Sequence, residues 1–572
     1  MTSAPVPARH RAARLAALLG DPLDPDNPVG HRAVLRADER AELLTAGEQL
    51  LDGYGLNAEF VPAEHGGRLT RLDELIDILR VVYRRDPALG LGYGVSSLIS
   101  AVNVWTAADA EQRARVAGIL LGNGRIAAAY HELAHGNDIA GTELAATPDG
   151  QGRWRLNGRK EVVTNIQRAD ALMVLTRTTA GAGQRNHAQF LVEKRDLPAG
   201  ALRYLPRYAT VGLRGVRLGG AEFHDCPVTE ADLLGRPGHG LETAMRSFQI
   251  TRTVLPSIMT GILDSALRAA LRHTTGRRLH GAPVAELPHI RSLLVGAFVD
   301  LLTCEALSTV VARTTHLAPR QSSVYGAVVK YAVSTHLLRA LDDLATVLGA
   351  ESFVRDGAEA IFQKLHRDIK PVGFGHAARA ACQTALLPHL GLLHRQLAKS
   401  SELPATAFQS HGELPPLPFG QLAVASRGQD PIAHALPRLA AELTPADAPL
   451  VEHAGHLRAE LDQLVRAGAA LPPDQLSLLA EPATYALTAR YVAAVTGTAC
   501  LGRWLCARGE PAADGSPDWL VAALTRLRAT GRGRAPRALP AALERRLFAE
   551  LTRRVAEGRD LGLPGPHSTD AP

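Results

Sequence analysis

Two histidines and a glutamate form the pattern H-E-x-x-H at His131, Glu132 and His135. On a helix this spacing places both imidazoles on one face, where they bind zinc while the glutamate acts as a general base. Here, however, residues 126–130 have strand character, and the Gly-Asn-Asp run at 136–138 favours a turn. A strand followed by a turn does not bring two histidines to one face. Zinc hydrolysis is therefore the least favoured of the activities considered, and we predict no metal site.

The same residues take on a different meaning beside four other segments of the chain. Each of the five segments resembles a motif of the acyl-CoA dehydrogenase family, and the order and spacing agree from residue 60 to residue 240. One such motif is weak, whereas five in order are specific. The segments are 130–138 (YHELAHGND, compared with TEPxAGSD), 156–170 (compared with LNGxKxxITNAxxAD), 212–228 (compared with GxRGSxxxxLxFxxVxVP), 234–240 (compared with LGxxGxG) and 61–67 (compared with VPxExGG).

This resemblance implies a flavoprotein that holds FAD between a β-domain and C-terminal helices. A thioester substrate would lie against the flavin, a base would remove the α-proton, and the β-hydrogen would leave as hydride to flavin N5. That chemistry needs a base on one face of the substrate and donors on the thioester oxygen, where enolate charge develops. We therefore expect an FAD-dependent acyl-thioester dehydrogenase acting on CH–CH groups. Its substrate would be an acyl-CoA or an acyl group on a carrier protein, and it would pass electrons to a separate acceptor.

The resemblance also implies which residues of the first half line the cofactor. His131 replaces the threonine of the family turn and Asn137 replaces its serine, and both side chains can still donate hydrogen bonds. The Thr164 hydroxyl would lie near flavin N5. The alternative is an ordinary strand, turn and strand with local polar contacts. The implied flavin-lining residues are Tyr130, His131, Gly136, Asn137, Val163 and Thr164.

Further residues of the second half match the family less closely. Residues 248–252 (FQITR) resemble its first substrate-binding helix, so Arg252 joins Asn137 as a candidate substrate contact, the alternative being a surface arginine. Arg277 resembles an arginine that contacts an FAD phosphate across a dimer, which implies a homodimer or homotetramer. Gly349 is the candidate cofactor contact in a segment that matches QxxGGxGY only in part, since the glutamine and two glycines are missing.

The position of the catalytic base departs most from the family. Residues 367–378 (RDIKPVGFGHAA) align with RDxxxxxxxEGT, which places His376 where most members have a glutamate and alanines where they have Gly-Thr. The alternative base position, before the helix arginine, is Thr251. Imidazole is a competent base near neutral pH. His376 is therefore the predicted base, and a displaced alignment or a lost base remains the alternative.

Composition sets the broad class of the protein. Of 572 residues, 46% are hydrophobic and 21% charged, which indicates a folded globular chain. The net charge of +6 is small, and without basic runs that contain aromatics we expect no nucleic-acid binding. Apolar stretches such as residues 293–303 are too short to predict a membrane span. Five scattered cysteines without a CxxC pair, and no signal-peptide pattern, favour a cytoplasmic location.

The order of predicted elements gives the fold class. We expect a mainly α protein with an inserted β-domain, in the acyl-CoA dehydrogenase-like arrangement of a helical domain, a small β-barrel, a four-helix-bundle domain and an extra helical domain. The predicted boundaries are 1–128 for the N-terminal helical domain, 129–240 for the β-domain, 241–400 for the bundle, 405–562 for the extra helical domain and 563–572 for a tail.

Two rivals to the dehydrogenase stay open besides zinc hydrolysis. One is a divergent flavoenzyme of the same fold, either an oxidase, a monooxygenase or a redox-silent protein, that exploits the altered base. The other is an interaction protein that keeps the fold without FAD. Bound flavin would separate the two flavin hypotheses from the others, because fold alone does not fix function.

Overall fold

The computed structural model describes residues 8–178, 185–508, 516–535 and 538–563. Helices come first, seven strands follow, and further helices with one short hairpin complete the described chain. The first helices are α1 (Ala8–Leu19), α2 (His31–Glu39), α3 (Thr45–Tyr54), α4 (Leu72–Arg85), α5 (Pro87–Gly90), α6 (Ser96–Ala107) and α7 (Ala110–Leu121). Between α5 and α6 lies a π-helical turn, Leu91–Val95.

Local sequence explains two of these helices. The apolar spacing in residues 72–85 predicts α4, and its buried face does carry Leu75, Leu79 and Val82. Helix α7 begins with a capping box, in which Asp109 accepts a bond from the Gln112 amide at 2.8 Å while the Gln112 side chain accepts from the Asp109 amide. Such reciprocal bonds satisfy amides that a helix start leaves without intrahelical partners.

The strands that follow are β1 (Ile126–Ala129), β2 (Ala145–Pro148), β3 (Arg153–Thr164), β4 (Ala171–Arg177), β5 (His187–Glu193), β6 (Leu202–Leu205) and β7 (Leu218–Thr229). They form one seven-stranded sheet in the order β1-β4-β2-β3-β7-β6, and β5 pairs with β4. The long strands β3 and β7 run antiparallel, with register shifts between Leu156 and Gly158 and between Lys160 and Val163.

After the sheet the described chain is helical apart from the hairpin of β8 (Arg278–Leu279) and β9 (Ala282–Pro283). These helices are α8 (Gly240–Ile258), α9 (Thr260–Gly276), α10 (Pro288–Leu317), α11 (Ser322–Leu348), α12 (Ile361–Asp368) and α13 (Arg379–Gln396). The last five are α14 (Pro431–Ala441), α15 (Ala448–Ala469), α16 (Pro482–Ala507), α17 (Asp518–Thr530) and α18 (Ala541–Ala556). The predicted mainly α fold with an inserted β-domain is confirmed.

The chain divides into two compact units. Unit 1 comprises residues 1–251 with 419–424, and unit 2 comprises residues 252–418 with 425–572. The long bundle helices and the C-terminal helices α14–α18 therefore share unit 2. The finer division into four domains stays a prediction.

A buried aspartate ties the bundle to the C-terminal helices within unit 2. Asp300 on α10 is 1% exposed and accepts bonds of 2.8 Å from Arg339 on α11 and from Arg526 on α17, with His336 at 2.9 Å. Although burial alone would raise it, the two guanidinium groups hold the pKa of Asp300 well below its ordinary value. Gly296 makes room for this contact, since a Cβ there would lie 2.9 Å from the Arg526 guanidinium.

A second buried aspartate makes a similar junction. Asp430 caps α14 by accepting from the Ala433 amide, and it also accepts from the Tyr325 hydroxyl at 2.7 Å and the Tyr491 hydroxyl at 2.6 Å. The Tyr491 hydroxyl in turn lies 2.9 Å from the His389 ring, whose pKa burial lowers to about 4. Helices α11, α13, α14 and α16 thus meet at one hydrogen-bonded network.

Within the described residues, three helical segments are long and apolar enough to cross a membrane by length and composition alone, which the short uninterrupted apolar runs of the sequence did not indicate. They are Pro87–Ala107, Gly240–Gly276 and Pro288–Leu317, and their apolar windows are 89%, 94% and 94% buried inside the protein. Packing against other elements therefore uses these apolar surfaces.

We predict that Asp300→Ala lowers the free energy of unfolding of unit 2 by about 3–5 kcal/mol, because the buried Arg526 and the half-buried Arg339 lose their carboxylate. The measurement is urea unfolding followed by circular dichroism. Asp342→Ala is the matched control, since Asp342 also pairs with two basic side chains, His366 and Lys370, but is 60% exposed. It should cost about 1 kcal/mol or less. Equal losses in the two variants would contradict the structural importance of Asp300.

Candidate functional site

The chain leaves β1 through a turn, which we call the β1 turn (residues 131–137). Gly136 occupies the left-handed region at φ +56°, and Asp138 then caps the next short helical turn by accepting from the Gly141 amide. The β1 turn is not helical, as the sequence predicts. The zinc-protease geometry of the H-E-x-x-H pattern is therefore not formed.

A buried ion pair supports the β1 turn from the protein interior. Lys160 on β3 is 0% exposed, and its ammonium donates to the Glu132 carboxylate at 2.8 Å, to the Tyr130 carbonyl at 3.1 Å and to the Thr142 hydroxyl. The Glu132 carboxylate also accepts from the amides of Glu143 at 2.8 Å and Leu144 at 3.1 Å. One carboxylate thus fixes both ends of the loop that contains the turn.

The charge state of this pair follows from burial and proximity. Burial lowers the pKa of Lys160 to about 8, although Glu132 opposes the shift. For Glu132, burial acts to raise the pKa, but Lys160 and the backbone amides outweigh it and the pKa is lowered. Both groups are therefore ionised at neutral pH. Sequence reasoning left both out of the site, although both are fixed letters of the matching motifs.

A possible metal-ligand group lies beside the pair but does not use both motif histidines. Ligand atoms of Glu132, His135 and Glu143 lie within 4.8 Å of one another. The His131 ring instead has its Nδ1 3.2 Å from the Gly136 carbonyl. The Glu132 oxygens already accept from Lys160 and two amides, so a cation bound there would compete with the buried ammonium. The absence of a metal site stays a prediction.

The end of β3 runs beside the β1 turn. The Glu161 amide donates to the His131 carbonyl at 2.8 Å, and the strand then bulges at Val162, where φ is +56°. The Thr164 side chain is half-buried, and Val163 is buried. Three of the predicted flavin-lining residues, His131, Val163 and Thr164, are therefore brought together within unit 1.

Asn165 belongs to a matching motif but was not among the predicted site residues. It is fully buried at φ +60°, and its amide donates to the Gly92 carbonyl at 2.7 Å and to the Ser96 hydroxyl at 3.2 Å. These bonds pin the end of β3 to the π-helical turn, an element frequent at functional sites. Its position directly after Thr164 in the matching motif is the sequence feature that could have identified it as a site residue.

The remaining predicted residues of unit 1 differ in exposure. Gly136 and Asn137 are exposed, while the His131 ring is half-buried and burial lowers its pKa, which favours the neutral imidazole. The Tyr130 side chain is only 2% exposed and meets Phe248 edge-on, with ring centroids 5.5 Å apart. An apolar cluster encloses its ring, which supports the turn from the core. The predicted place of Tyr130 along the flavin stays a prediction.

Within unit 2, His376 lies in a segment that we call the base loop (residues 369–378). His376 is half-buried with φ at +60°. The loop is held at Val372, whose carbonyl accepts from the Lys330 ammonium at 2.7 Å and from the Ser334 hydroxyl at 2.8 Å. Both donors lie on α11 and are buried, so the start of the loop is fixed to the bundle.

Arg252 belongs to the same unit and is half-buried at the C-terminal part of α8. Burial lowers its pKa, and its charge acts together with burial to lower the pKa of Lys330 to about 8. The sequence left open that Arg252 is an ordinary surface residue, but the structure places it half-buried. It leaves Arg252 as a candidate for binding an anion.

The two predicted cofactor contacts of the second half lie at the surface of unit 2. Arg277 is exposed where α9 ends and the β8–β9 hairpin begins. Gly349 ends α11 at φ +59°, also exposed, with open space around the position of a Cβ. Both positions are open to a ligand or to another subunit, and their roles stay predictions.

Comparisons with known proteins agree with these motifs. Residues 127–226 match the family model "Acyl-CoA dehydrogenase, middle domain", and residues 238–376 match "Acyl-CoA dehydrogenase, C-terminal domain". The probable acyl-CoA dehydrogenase FadE25 of Mycobacterium tuberculosis is 26% identical over 258 residues, which are 45% of this chain and 65% of that protein. The matched part therefore spans less than two thirds of this relative.

Solved structures share the fold. The prolyl acyl carrier protein oxidase AnaB superposes with a TM-score of 0.61 at 18% identity, over 68% of this chain and 100% of its own. The FAD complex of PigA gives 0.60 at 17% identity, over 68% and 100%. Residues 127–226 and 238–376 therefore match the middle and C-terminal domains of the acyl-CoA dehydrogenase family.

Proposed function

We propose that the protein is an FAD-dependent enzyme of the acyl-thioester dehydrogenase type. It forms an α,β double bond in an acyl-CoA or in an acyl group on a carrier protein. The observation that carries the proposal is the β1 turn, which the Glu132–Lys160 pair holds against the bulged end of β3. The family match supports it, as do the names of the similar proteins, an acyl-CoA dehydrogenase and an FAD complex.

The residues of the β1 turn fit a flavin. An exposed glycine at φ +56° lets a flat ring approach the backbone closely, and a Cβ at Gly136 would meet no other atom within 4 Å. Asn137 offers an amide donor, Thr164 offers a hydroxyl, and His131 offers a neutral imidazole. The exposed guanidinium of Arg277 suits a phosphate of the cofactor. When bound, FAD supplies the two-electron acceptor for the hydride that leaves the β-carbon.

The protein's own side chains accept the substrate α-proton and bind the anionic part of the thioester. His376 accepts the substrate α-proton on a ring nitrogen, while the electron pair of that C–H bond forms the new double bond. Arg252 binds the anionic carrier part of the thioester. The half-buried base loop restricts water at His376, and its attachment at Val372 keeps the imidazole in place.

A divergent flavin reaction is the second candidate. Neither His376 nor Thr251, which is fully buried, supplies a carboxylate at the two base positions of the family. An oxidase acting on a carrier-bound substrate is one such reaction, as the name of AnaB indicates for that protein. For assembly we propose a homodimer or homotetramer through Arg277, and we propose that electrons leave to a separate acceptor.

We predict that the purified protein is yellow, releases FAD on heating, and is bleached by an acyl thioester under anaerobic conditions. Absorbance at flavin wavelengths is followed while a panel of acyl-CoA and acyl-carrier thioesters is added. Bleaching that persists until an acceptor dye is supplied supports the dehydrogenase, whereas rapid reoxidation by air favours the oxidase. A colourless protein that stays without FAD when FAD is supplied would contradict both.

The Glu132–Lys160 pair generates a second prediction. Glu132→Gln leaves a buried ammonium without its carboxylate, which should cost about 3–5 kcal/mol of stability near neutral pH and reduce FAD content. The deficit should shrink as pH rises above about 8, because Lys160 then loses its proton in the wild type too and the pair no longer contributes. Thermal unfolding between pH 6 and 10 measures this dependence.

The control is Glu143→Gln, because the Glu143 carboxylate lies in the same loop but is 77% exposed. This variant should retain FAD and stability. Equal losses of stability and FAD content in the two variants would contradict the proposed role of the Glu132–Lys160 pair in holding the β1 turn.

A third prediction concerns the base. His376→Gln keeps a similar size but removes the basic nitrogen, so flavin reduction should slow by about a hundred-fold to ten-thousand-fold while FAD content stays unchanged. In the wild type the reductive rate should rise with pH between about 5 and 8, because only neutral imidazole accepts a proton. Stopped-flow absorbance measures both effects.

The control is His394→Gln, which changes an exposed histidine on α13 and should react like the wild type. A wild-type rate in His376→Gln excludes His376 as the base.

A further inference from the structure

A cavity of about 420 Å³ lies among α10, α16, α17 and α18 in unit 2. Its volume falls within the range of small-molecule sites in proteins. All its lining residues belong to unit 2, and the residues of the candidate flavin site are not among them. The cavity is therefore a separate feature of the C-terminal helices.

One part of the cavity lining is apolar and rich in aromatic rings. Two of the four tryptophans of the chain line it, together with a phenylalanine and leucines, in a protein with only 4% aromatic residues. Most of these side chains are almost fully buried, so the cavity reaches the core. They are Phe298 (0% exposed), Leu302 (1%), Leu547 (3%), Trp504 (4%) and the half-buried Trp519.

The other part of the lining is basic. Among the described residues, five arginines and two carboxylates line the cavity, and Arg508 and Arg553 also pair with Asp447 and Glu557 just outside it, so five guanidinium groups face four carboxylates. Arg508, Arg546 and Arg553 are exposed and Arg503 and Arg554 are buried, so guanidinium groups extend from the core to the surface. An apolar interior beneath a basic rim is complementary to a molecule with one apolar end and one anionic end.

Existing contacts hold two of the arginines in position. Asp518 accepts from Arg546 at 2.6 and 2.8 Å, which uses two of the five N–H donors of that guanidinium. The Arg554 guanidinium lies 5.4 Å from the Phe298 ring centroid and donates to Glu550 at 2.6 Å. Groups that are oriented before a ligand arrives lose less entropy when it binds.

We propose that this cavity binds an amphipathic carboxylate, with its acyl chain among the tryptophan, phenylalanine and leucine side chains and its carboxylate at the arginine rim. Arginine binds carboxylates with two parallel hydrogen bonds, and five guanidinium groups against four carboxylates accommodate one further negative charge. This binding site lies outside the proposed reaction and does not depend on it.

The test titrates the full-length protein with decanoate and follows tryptophan fluorescence, because Trp504 and Trp519 line the cavity. Decan-1-ol has the same chain without the charge, and decyltrimethylammonium has the opposite charge. We expect a saturable change with decanoate, with an affinity at least tenfold above that of decanol, and no saturable change with the cationic compound. The flavin absorbance should stay unchanged, which separates this cavity from the candidate flavin site.

Three variants localise the effect. Ala507→Phe places a ring in the cavity from a half-buried position and should abolish the fluorescence change. Arg546→Gln removes one exposed rim charge and should weaken decanoate about tenfold with little effect on decanol. Arg545→Gln is the matched control, because Arg545 is an exposed neighbour that does not line the cavity. Thermal midpoints of all three check that they fold.

Several results would overturn the proposal. One is the absence of a saturable change with decanoate, and another is equal affinity for decanol, which would leave only apolar binding. A third is unchanged binding in both Ala507→Phe and Arg546→Gln, since the ligand would then lie elsewhere. Loss of flavin activity in wild-type protein leaves these outcomes readable, because fluorescence reports binding without turnover.

Discussion

The candidate site depends on one interaction, the buried ion pair of Lys160 and Glu132. An ammonium without exposure to water is unfavourable unless a charge and several acceptors compensate it. The compensation here comes from Glu132, the Tyr130 carbonyl and the Thr142 hydroxyl, three groups at different points of one loop. Because each group must reach the same nitrogen, the loop has few conformations available. The shape of the β1 turn therefore follows from satisfying a single charge.

In unit 2 the buried charges are carboxylates, and hydrogen-bond donors from several helices compensate them. Asp300 accepts from Arg339 on α11 and Arg526 on α17, and Asp430 accepts from tyrosine hydroxyls on α11 and α16. Each buried carboxylate can be satisfied only when bundle helices and C-terminal helices pack in register. Apolar contacts provide most of the burial, whereas directional bonds to a fixed oxygen select one arrangement among many. The C-terminal helices are thus joined to the bundle by more than nonspecific packing.

Much of the fold and part of the site could be predicted from the sequence. Strands with buried apolar residues, such as β4 and β5, are recognisable in the sequence, whereas β2 and β6 give a weak pattern because they are four residues long and partly exposed. The turn after β1 was predicted from its Gly-Asn-Asp run. The burial of Tyr130 was not, because tyrosine suits both a core and a binding surface. Lys160 is a fixed letter of a matching motif, but its pairing with Glu132 is visible only in the three-dimensional structure, because the two residues lie 28 positions apart.

The backbone of the base loop gives an independent physical argument that this segment is more than a connection. His376 has φ at +60°, and Ala377 has φ at +149°, a region that favours glycine. In the matching family motif a glycine stands where this chain has Ala377. Residues other than glycine adopt such angles at a cost of the order of 1–3 kcal/mol, and they persist only where the surroundings enforce them. Here the Lys330 and Ser334 bonds to Val372 fix the loop on one side and α13 begins on the other. The chain thus retains an unfavourable backbone although the family glycine is gone, which is understandable if the position of the His376 side chain, rather than the ease of the turn, has to be preserved.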